Sequence, residues 1–307
     1  MLKIYHNSKV NRKWKRSKQW LRSAWVAAIA PADAELEDLS KHLQLPVDIL
    51  QDSLDEYELP RLRVVGKNLV VILRAAWQEE GEYGTTPLTI IVAPQQIITI
   101  TRDKTQIIDD FIAGVVPTLS TQRSNFLIKM CLRMIYYYEE YINGLSRQVD
   151  SKQRLLRQID KEDIIALVEI EEILNSYIDA LTRNLSVVNK ILLQKHIDLY
   201  DQDKQLIDDL VIDGEQVLDL AKTNLKTISN IREGYTTVLS LRLEQIMKVL
   251  TYVTAFFTIP MLVTSLYGMN VSLPWASEPH AFTLIVGIII ISLLAAWLLF
   301  ATFKKHL

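Results

Sequence analysis

The feature that most constrains this chain is a pair of long uncharged segments near its C-terminal end. Residues 249–270 and residues 281–303 contain no Asp, Glu, Lys or Arg. An α-helix needs about 20 apolar residues to cross the hydrocarbon core of a bilayer. We therefore predict two transmembrane helices, at residues 247–270 and 281–303, joined by a short loop at residues 271–280.

The first uncharged segment is more polar on one side than a helix surrounded by lipid. It contains Pro260 and several Thr and Ser residues. Polar groups within a membrane helix usually face a helix bundle or an aqueous path. The alternative is that the hydroxyls only donate hydrogen bonds to their own helix backbone. Residues that recur every three or four positions share one face of a helix, and this stripe consists of Glu244, Met247, Leu250, Thr254, Thr258, Met261, Ser265 and Gly268.

Basic residues flank the two segments unequally. The loop has no Lys or Arg and Glu278 is its only acid, whereas Lys304 and Lys305 directly follow the second segment. Because Lys and Arg are enriched on the cytoplasmic side of membranes, the loop is predicted to be extracellular. Both termini, including a basic tail at residues 304–307, are predicted to be cytoplasmic. The N-terminus has no apolar core typical of a signal peptide, so a multi-pass protein of the cell membrane is expected.

Composition excludes several other classes of protein. The net charge of −2 gives no reason to expect nucleic-acid binding, and the basic cluster between Lys9 and Arg22 is local. That cluster is predicted to contact lipid headgroups or to be a solvated segment. The single cysteine, Cys131, is typical of a reducing compartment. Scattered histidines and the lack of a Gly-rich phosphate loop argue against an enzyme, and no organic cofactor is expected.

Proline separates the rest of the chain into two regions. Prolines recur from Pro31 to Pro117, and none follows until Pro260. Helix is therefore predicted for the long proline-free region. Before it, β-rich runs at residues 25–30, 69–73, 88–92 and 97–101 are interspersed with helical segments near residues 33–43, 47–54 and 104–113, and residues 93–96 are typical of a hairpin. We predict an α/β cytoplasmic domain at residues 1–117, followed by a long α-helical stalk region at residues 118–246.

The proline-free region has a helical period over most of its length. Apolar residues recur at helical spacing over residues 126–159 and 164–193, with a charged turn at residues 160–163 and a break at residues 198–203. From Lys204 the pattern continues through Gly234 into the first uncharged segment. A helix of about 60 residues would be about 90 Å long. We expect so long a rod to pack against copies of itself.

The end of the first uncharged segment carries a specific motif. Tyr267, Gly268, Met269 and Asn270 resemble the signature of the metal-transporter superfamily of CorA magnesium channels in sequence and in position. Residues 246–251, 52–54 and 60–62 are also similar to family segments, so the resemblance covers nearly the whole chain. It implies a homopentameric funnel in which five first membrane helices line a pore, five second helices surround it and the cytoplasmic regions form the funnel wall.

The resemblance assigns the pore mouth to the motif. Mg²⁺ loses its water ligands reluctantly, so a ring of Asn270 carboxamides is expected to bind the hydrated ion through its water shell. Tyr267 is expected to anchor the helix end by packing. Gly268 is expected to let neighbouring backbones approach closely near the mouth, and Met269 is the next residue of the motif. Two other interpretations of Asn270 are a glycosylation sequon with Ser272 and a helix terminator.

Below the mouth, the stripe implies a pore lining and a gate. Thr254, Thr258, Met261 and Ser265 are expected to line the pore, and Met247 and Leu250 to form an apolar neck that gates by dewetting. Three positions depart from the family pattern, so the resemblance leaves the pore contour open. Glu244 stands where a neutral amide is common, Pro260 lies one residue later than usual, and Met261 replaces a small hydroxyl.

Regulation is implied at acidic residues of the cytoplasmic part. The resemblance puts Asp52 and Glu233 where neighbouring protomers jointly hold a regulatory divalent ion, with Asp209 as a second candidate. Carboxylates facing each other across an interface repel without metal and are held together with it. The alternative for Asp209 is that Asp208, Asp209 and Asp213 form the solvated face of a helix.

Together these observations predict a divalent-cation channel that mediates Mg²⁺ uptake and is gated by cytoplasmic Mg²⁺. One alternative is a zinc, cobalt or nickel transporter of the same superfamily, with Co²⁺ or Ni²⁺ as further partners. An alternative from another class is a membrane-tethered coiled-coil scaffold. That alternative explains the long helices but leaves the polar stripe and Asn270 without a role.

Overall fold

The fold is that of a computed structural model, which describes residues 2–7, 14–17, 19–154, 159–193, 201–271, 274–275 and 279–304. Its contacts divide the chain into two compact units, Met1–Arg232 and Glu233–Leu307. Lys305, Glu278 and part of the predicted basic cluster, including Lys9, lie outside the described residues.

A seven-stranded sheet forms the centre of the first unit in the part of the chain that is described. Its strands are β1 (Leu2–His6), β2 (Lys15–Ser17), β3 (Ala24–Ile29), β4 (Arg61–Val65), β5 (Asn68–Glu79), β6 (Glu82–Val92) and β7 (Gln96–Thr101). The strand order is β2-β1-β3-β7-β6-β5-β4, with β3 and β7 parallel and the other described neighbours antiparallel.

All predicted strand runs occur in the sheet. The predicted hairpin is confirmed as well, because Ala93 N donates to Gln96 O at 3.0 Å between β6 and β7. Strands β1, β2 and β4 are not predicted from the sequence. Strands β2 and β4 lie at the two edges of the sheet, where charged side chains can face solvent and no buried apolar run is required.

Strands β5 and β6 extend well beyond their predicted runs. Trp77 pairs with Gly84 across this hairpin. A Cβ atom on Gly84 would lie 2.6 Å from the Trp77 ring, so the ring occupies the space that another side chain would fill. Alternating apolar residues do not indicate a cross-strand contact of this kind. The strands predicted from such alternation are therefore shorter than β5 and β6.

Two helices cover one face of the sheet. Helix α1 (Asp33–Leu43) has the predicted bounds, and the second predicted segment consists of α2 (Val47–Gln51) and a 3₁₀ turn at Asp52–Leu54. Leu36 and Leu39 of α1 are fully buried in one core with Val26 and Ile100 of the sheet. This core fixes the position of the turn that carries Asp52.

The opposite face of the sheet packs on an aromatic cluster. Trp25 lies with its ring centroid 5.4 Å from that of Phe126 and 6.0 Å from that of Phe111, and its Nε1 donates to Thr99 Oγ1 at 3.0 Å. Phe111 belongs to α3 (Gln106–Ala113), which begins two residues later than the predicted segment. The later start has a local cause, since Thr105 Oγ1 accepts a hydrogen bond from Ile108 N and caps the helix.

Two long helices pack on β5 and β6, namely α4 (Arg123–Arg154) and α5 (Lys161–Leu193). Asn184 of α5 is fully buried and closes the open edge of β5 beyond the end of β4. Its Nδ2 donates to Arg74 O at 2.8 Å, and Arg74 N donates to its Oδ1 at 3.0 Å. The carboxamide thus replaces a neighbouring strand and keeps the helices in register with the sheet.

Helix α5 and the long helix that follows it each begin within the interruption that the sequence predicts before them. Helix α5 already begins at Lys161, because Asp160 Oδ1 accepts a hydrogen bond from Asp163 N at the start of the helix. Helix α6 (Asp201–Tyr267) begins within the predicted break at residues 198–203, of which residues 198–200 are outside the described part. Asp203 is buried and accepts hydrogen bonds from Ser124 Oγ and Asn125 Nδ2, so its charge does not mark a loop.

Helix α6 is 67 residues long and continues from the first unit into the second, which agrees with the predicted rod. Within the first unit it approaches α5 closely at Gly214, where an added Cβ would lie 2.5 Å from Leu185 Cδ2. The second unit also contains α7 (Ala281–Lys304).

Cys131 of α4 is buried, and burial raises the pKa of its thiol to about 12. That thiol is therefore a core side chain.

Candidate functional site

In the single chain, the C-terminal part of α6 is apolar and largely exposed, and between residues 239 and 270 only Ala255, Ile259, Pro260, Val263 and Tyr267 are half-buried. Helix Asp203–Tyr267 is long and apolar enough to cross a membrane, with a mean hydropathy of 1.8 over its most apolar window, none of which is buried. A shorter apolar helix, Phe282–Trp297, lies within α7 among the described side chains. A long apolar helix exposed in this way needs lipid or other helices as its surroundings. Its exposed large side chains are Leu239, Leu241, Leu243, Ile246, Met247, Val249, Leu250, Tyr252, Val253, Phe256, Phe257, Met261, Leu262 and Leu266.

The predicted stripe lies on this continuous helix. All four predicted lining residues, Thr254, Thr258, Met261 and Ser265, are exposed, and Met261 is 72% exposed. The helix runs through Pro260, whose ring removes one backbone donor from the interior of the helix. The structure therefore gives the stripe the helical spacing on which its prediction depends.

The threonine hydroxyls donate to the backbone of their own helix. Thr254 Oγ1 donates to Leu250 O at 2.9 Å, and Thr258 Oγ1 donates to Thr254 O at 2.8 Å. The alternative interpretation of the stripe, in which the hydroxyls only donate to their own helix backbone, expects these bonds. Each hydroxyl oxygen can still accept hydrogen bonds, because it has two lone pairs. With its hydrogen held by the backbone, each threonine is oriented to act as an acceptor.

The helix ends at the predicted motif. Gly268 N donates to Thr264 O at 2.9 Å and Met269 N donates to Leu266 O at 3.2 Å, which closes the last turn. Tyr267 Oη donates to Pro274 O at 3.3 Å and so ties the following loop to the helix end. The sequence does not reveal this hydrogen bond, and the anchoring of the helix end by packing of Tyr267 stays a prediction.

Asn270 follows the helix end and is exposed. Because α6 ends at Tyr267, Asn270 is not the residue that terminates the helix. No hydrogen bond of its carboxamide occurs among the described residues. Ser272 of the possible glycosylation sequon lies outside them. An added Cβ at Gly268 would lie 3.3 Å from Thr264 O, so a larger residue would be tight at this turn.

The predicted gate residues lie at the lower end of the stripe. Met247 is 58% exposed and Leu250 is 55% exposed. One turn below, Glu244 pairs with Lys248 at 2.8 Å between Oε1 and Nζ. An acid four residues before a lysine is a recognised helix pair, so the spacing alone could have predicted it. The pair partly neutralises Glu244, one of the three residues at which the sequence departs from the resemblance.

The predicted regulatory acids are dispersed in the single chain. Asp52 lies at the start of the 3₁₀ turn, and its Oδ2 is 2.5 Å from Arg61 Nη2. Asp209 and Glu233 are exposed on α6, in the first and second unit respectively. Among the described residues there is no group of three or more His, Cys, Asp or Glu side chains that could hold a metal ion. A metal site built from these acids would therefore require a second copy of the chain or further water ligands.

Comparison with known proteins identifies close similarity over almost the whole chain. The family model described as CorA-like Mg²⁺ transporter protein matches residues 21–305. The Cobalt/magnesium transport protein CorA of Methanocaldococcus jannaschii is 29% identical over 278 residues, which are 88% of this chain and 87% of that protein.

Solved structures show the same fold. The complete structure of the CorA magnesium transporter from Methanocaldococcus jannaschii superposes with a TM-score of 0.87 at 25% identity and covers 98% of this chain and 97% of that one. The full-length CmaX protein superposes with a TM-score of 0.77 at 18% identity and covers 99% and 97% of the two chains. The second likeness concerns the fold alone.

Proposed function

The chain belongs to the family of CorA-like Mg²⁺ transporter proteins, and we propose that it mediates Mg²⁺ uptake across the cell membrane through a pore lined by α6. The observation that carries this proposal is the Tyr267–Asn270 motif at the end of an exposed apolar helix with a polar stripe on one face. Membership of a transporter family also leaves the alternative of a coiled-coil scaffold without support.

The pore is proposed to form in a homopentamer. Helix α6 has exposed apolar side chains outside its polar stripe, and the stripe itself needs an aqueous environment. Five copies arranged around an axis would turn the stripes inward and the apolar sides toward lipid and toward α7. In this arrangement α7 is the second transmembrane helix, the loop between α6 and α7 is extracellular, and both termini are cytoplasmic.

Selection is proposed to operate on the hydrated ion. The waters around Mg²⁺ point their hydrogens outward, so the pore must present hydrogen-bond acceptors. Asn270 supplies a carboxamide oxygen at the mouth. Thr254 and Thr258 supply hydroxyl lone pairs lower down, because their hydrogens are already bound to backbone carbonyls. The ring of oxygens thus recognises the water shell without removing it.

Closure is proposed to occur at Met247 and Leu250. Apolar rings of this kind stop conduction when the neck becomes too narrow to stay wetted. Cytoplasmic Mg²⁺ would favour the closed state by binding between protomers, at Asp52 of one copy and Glu233 of the next, with Asp209 as the second candidate. A ligand that binds only the closed state stabilises that state, and the stabilisation grows with the logarithm of the ligand concentration once this exceeds Kd. Mg²⁺ is then both the transported ion and the regulator, and no organic cofactor is proposed.

The ion preference has a specific second candidate. The relative from Methanocaldococcus jannaschii is named as a cobalt and magnesium transport protein. This supports Co²⁺ as a second substrate of the present chain, ahead of Ni²⁺ and Zn²⁺. Outer-sphere recognition is compatible with both ions, because it depends on the water shell and not on direct ligation.

Ion flux into proteoliposomes tests the proposal. Purified protein would be reconstituted at a fixed protein-to-lipid ratio, and entry of Mg²⁺, Co²⁺, Ni²⁺ and Zn²⁺ would be followed with entrapped dyes. We expect saturable Mg²⁺ entry that exceeds entry into protein-free vesicles and is competed by Co²⁺. Zn²⁺ entry in the absence of Mg²⁺ entry would contradict the proposed substrate.

A further inference from the structure

A cavity of about 900 Å³ lies in the first unit between β1, β2 and α1, outside the proposed ion pathway. Its wall combines basic side chains with an exposed indole. The residues that give it this character are Lys3, Arg16, Trp20, Lys41 and His42. Small-molecule sites have volumes of about 300–1,000 Å³, so the cavity is of a size that holds a metabolite.

The three long basic side chains are available for a ligand. Lys3, Arg16 and Lys41 form no ion pair among the residues the structure describes, although each lines the same cavity. An Arg fork and Lys ammonium groups are the usual protein ligands of phosphate. Unpaired cations that converge on one concave surface therefore favour an anion of more than one charge.

Two acidic side chains, Glu35 and Asp38, also line the cavity, but they do not offset its preference for an anion. Glu35 is already engaged, because its Oε1 accepts from Leu2 N at 2.9 Å and its Oε2 accepts from Ala32 N at 3.0 Å. Asp38 is exposed at the same wall. A free carboxylate there can accept hydrogen bonds from a sugar hydroxyl or an exocyclic amine. The wall thus offers donors for phosphate and an acceptor for a polar ring or sugar.

The indole is held as a rigid platform. Trp20 stacks on His42 with ring centroids 3.9 Å apart and an interplanar angle of 25°. His42 Nε2 lies 2.9 Å from Gln96 Oε1, and Gln96 Nε2 donates to Leu21 O at 3.1 Å, so the stack is fixed to the end of β7. Trp20 remains 37% exposed at the cavity wall. Its outer surface is available for a planar ring.

We propose that this cavity binds a nucleotide, with its phosphates on Lys3, Arg16 and Lys41 and its base against Trp20. Aromatic stacking and phosphate contacts together distinguish a nucleotide from a simple anion. The concave shape also disfavours a bilayer surface, which would require a protruding basic face. Because the cavity is separate from α6, the proposal does not rest on the proposed transport function.

Calorimetric titration of ADP into the full-length protein in detergent, in buffer without divalent ions, tests this proposal. Pyrophosphate is the matched anion without a nucleoside. We expect saturable binding of ADP about tenfold tighter than that of pyrophosphate, which is the order of effect of one stacked base. Absence of saturable ADP binding, or equal affinity for the two anions, would overturn the proposal.

Variants separate the two parts of the site. R16Q/K41Q should weaken ADP and pyrophosphate about tenfold or more, W20L should reduce ADP to the affinity of pyrophosphate, and W20F should retain the preference for ADP. K67Q removes an exposed lysine from the β4–β5 turn and should change nothing. Wild-type ADP affinity in R16Q/K41Q would overturn the proposal. Displacement of ADP by an equal concentration of glycerol 3-phosphate would indicate a lipid-headgroup site and would also overturn it.

Discussion

Arg61 Nη2 lies 2.5 Å from Asp52 Oδ2, so the acid predicted to hold a regulatory ion already pairs with a cation of its own chain. Arg61 also contacts Glu58 Oε1 at 2.7 Å. A divalent ion that binds Asp52 must therefore compete with the guanidinium group. This competition gives the chain a way to set the Mg²⁺ concentration at which the proposed sensor responds.

Replacement of Arg61 by Gln should make the sensor more sensitive. Without the guanidinium, Asp52 loses its ion-pair partner, and its affinity for a cation should rise. We expect R61Q to close, and to become resistant to protease, at a several-fold lower Mg²⁺ concentration than the wild type. R63Q is the matched control, because Arg63 is an exposed residue of the same strand. An unchanged Mg²⁺ midpoint in R61Q would show that Asp52 does not bind the ion.

Removal of both proposed acids should abolish the response to Mg²⁺. Millimolar Mg²⁺ is expected to protect the wild-type stalk and domain linkers from protease, because the closed state alone binds the ion. D52A/E233A should lose most of this protection and should conduct at internal Mg²⁺ levels that close the parent channel. If protection and closure persist undiminished in the double variant, attention moves to Asp209.

Truncation of Asn270 should abolish uptake and leave the assembly intact. N270A removes the carboxamide that is proposed to bind the water shell of the ion, but it removes no side-chain hydrogen bond among the described residues. Flux into proteoliposomes and the mass of the detergent-solubilised assembly would be measured together. N230A, an exposed asparagine elsewhere on α6, should behave as the wild type. Normal flux through N270A would remove the selectivity role of the carboxamide.

Smaller side chains at the neck should produce a leak. M247A and L250A widen the proposed apolar constriction and so lower the barrier to wetting. We expect both variants to pass Mg²⁺ at high cytoplasmic Mg²⁺, where the wild type is closed. V253A changes an exposed apolar residue of the same helix outside the stripe and should stay closed. Tight closure in both neck variants would locate the gate elsewhere.

A single methyl group added at Gly214, where α6 approaches α5 closely, should lower the stability of the fold. A Cβ at Gly214 would lie 2.5 Å from Leu185 Cδ2, whereas a Cβ at Gly144 would come no closer than 3.8 Å to Tyr83 Oη. Overpacking costs about 1–3 kcal/mol, and Ala gains up to about 1 kcal/mol of helix propensity over Gly. We expect G214A to lower the melting temperature and G144A to leave it unchanged or raise it.

A double-mutant cycle tests the cause of that effect. Leu185 is the side chain that the new methyl group would meet. The loss of stability in G214A/L185A should therefore be smaller than the sum of the two single losses. Additive losses would show that Gly214 acts through the helix backbone and not through its contact with Leu185.

Much of the architecture is predictable because it depends on local periodicity. The bounds of α1, the hairpin between β6 and β7 and the continuous rod of α6 all follow from the spacing of apolar residues and from proline. The motif at residues 267–270 identifies the family for a similar reason, since its side chains are adjacent in the chain. A pattern within one helix or strand can be recognised from the sequence alone, because it does not depend on how that element packs.

What only the tertiary structure decides is which distant residues meet. The pairing of Asp52 with Arg61, the closure of the β5 edge by Asn184 and the stacking of Trp20 on His42 each join two elements or loops of the chain. No periodicity encodes these contacts, because they depend on how the sheet orders its strands and how the helices lie on it. The sequence by itself determined the family, and it predicts the membrane segments and the stripe, because each depends on local composition or spacing. The fold decided the surroundings of each acid and each ring, because those depend on packing between segments that are far apart in the chain.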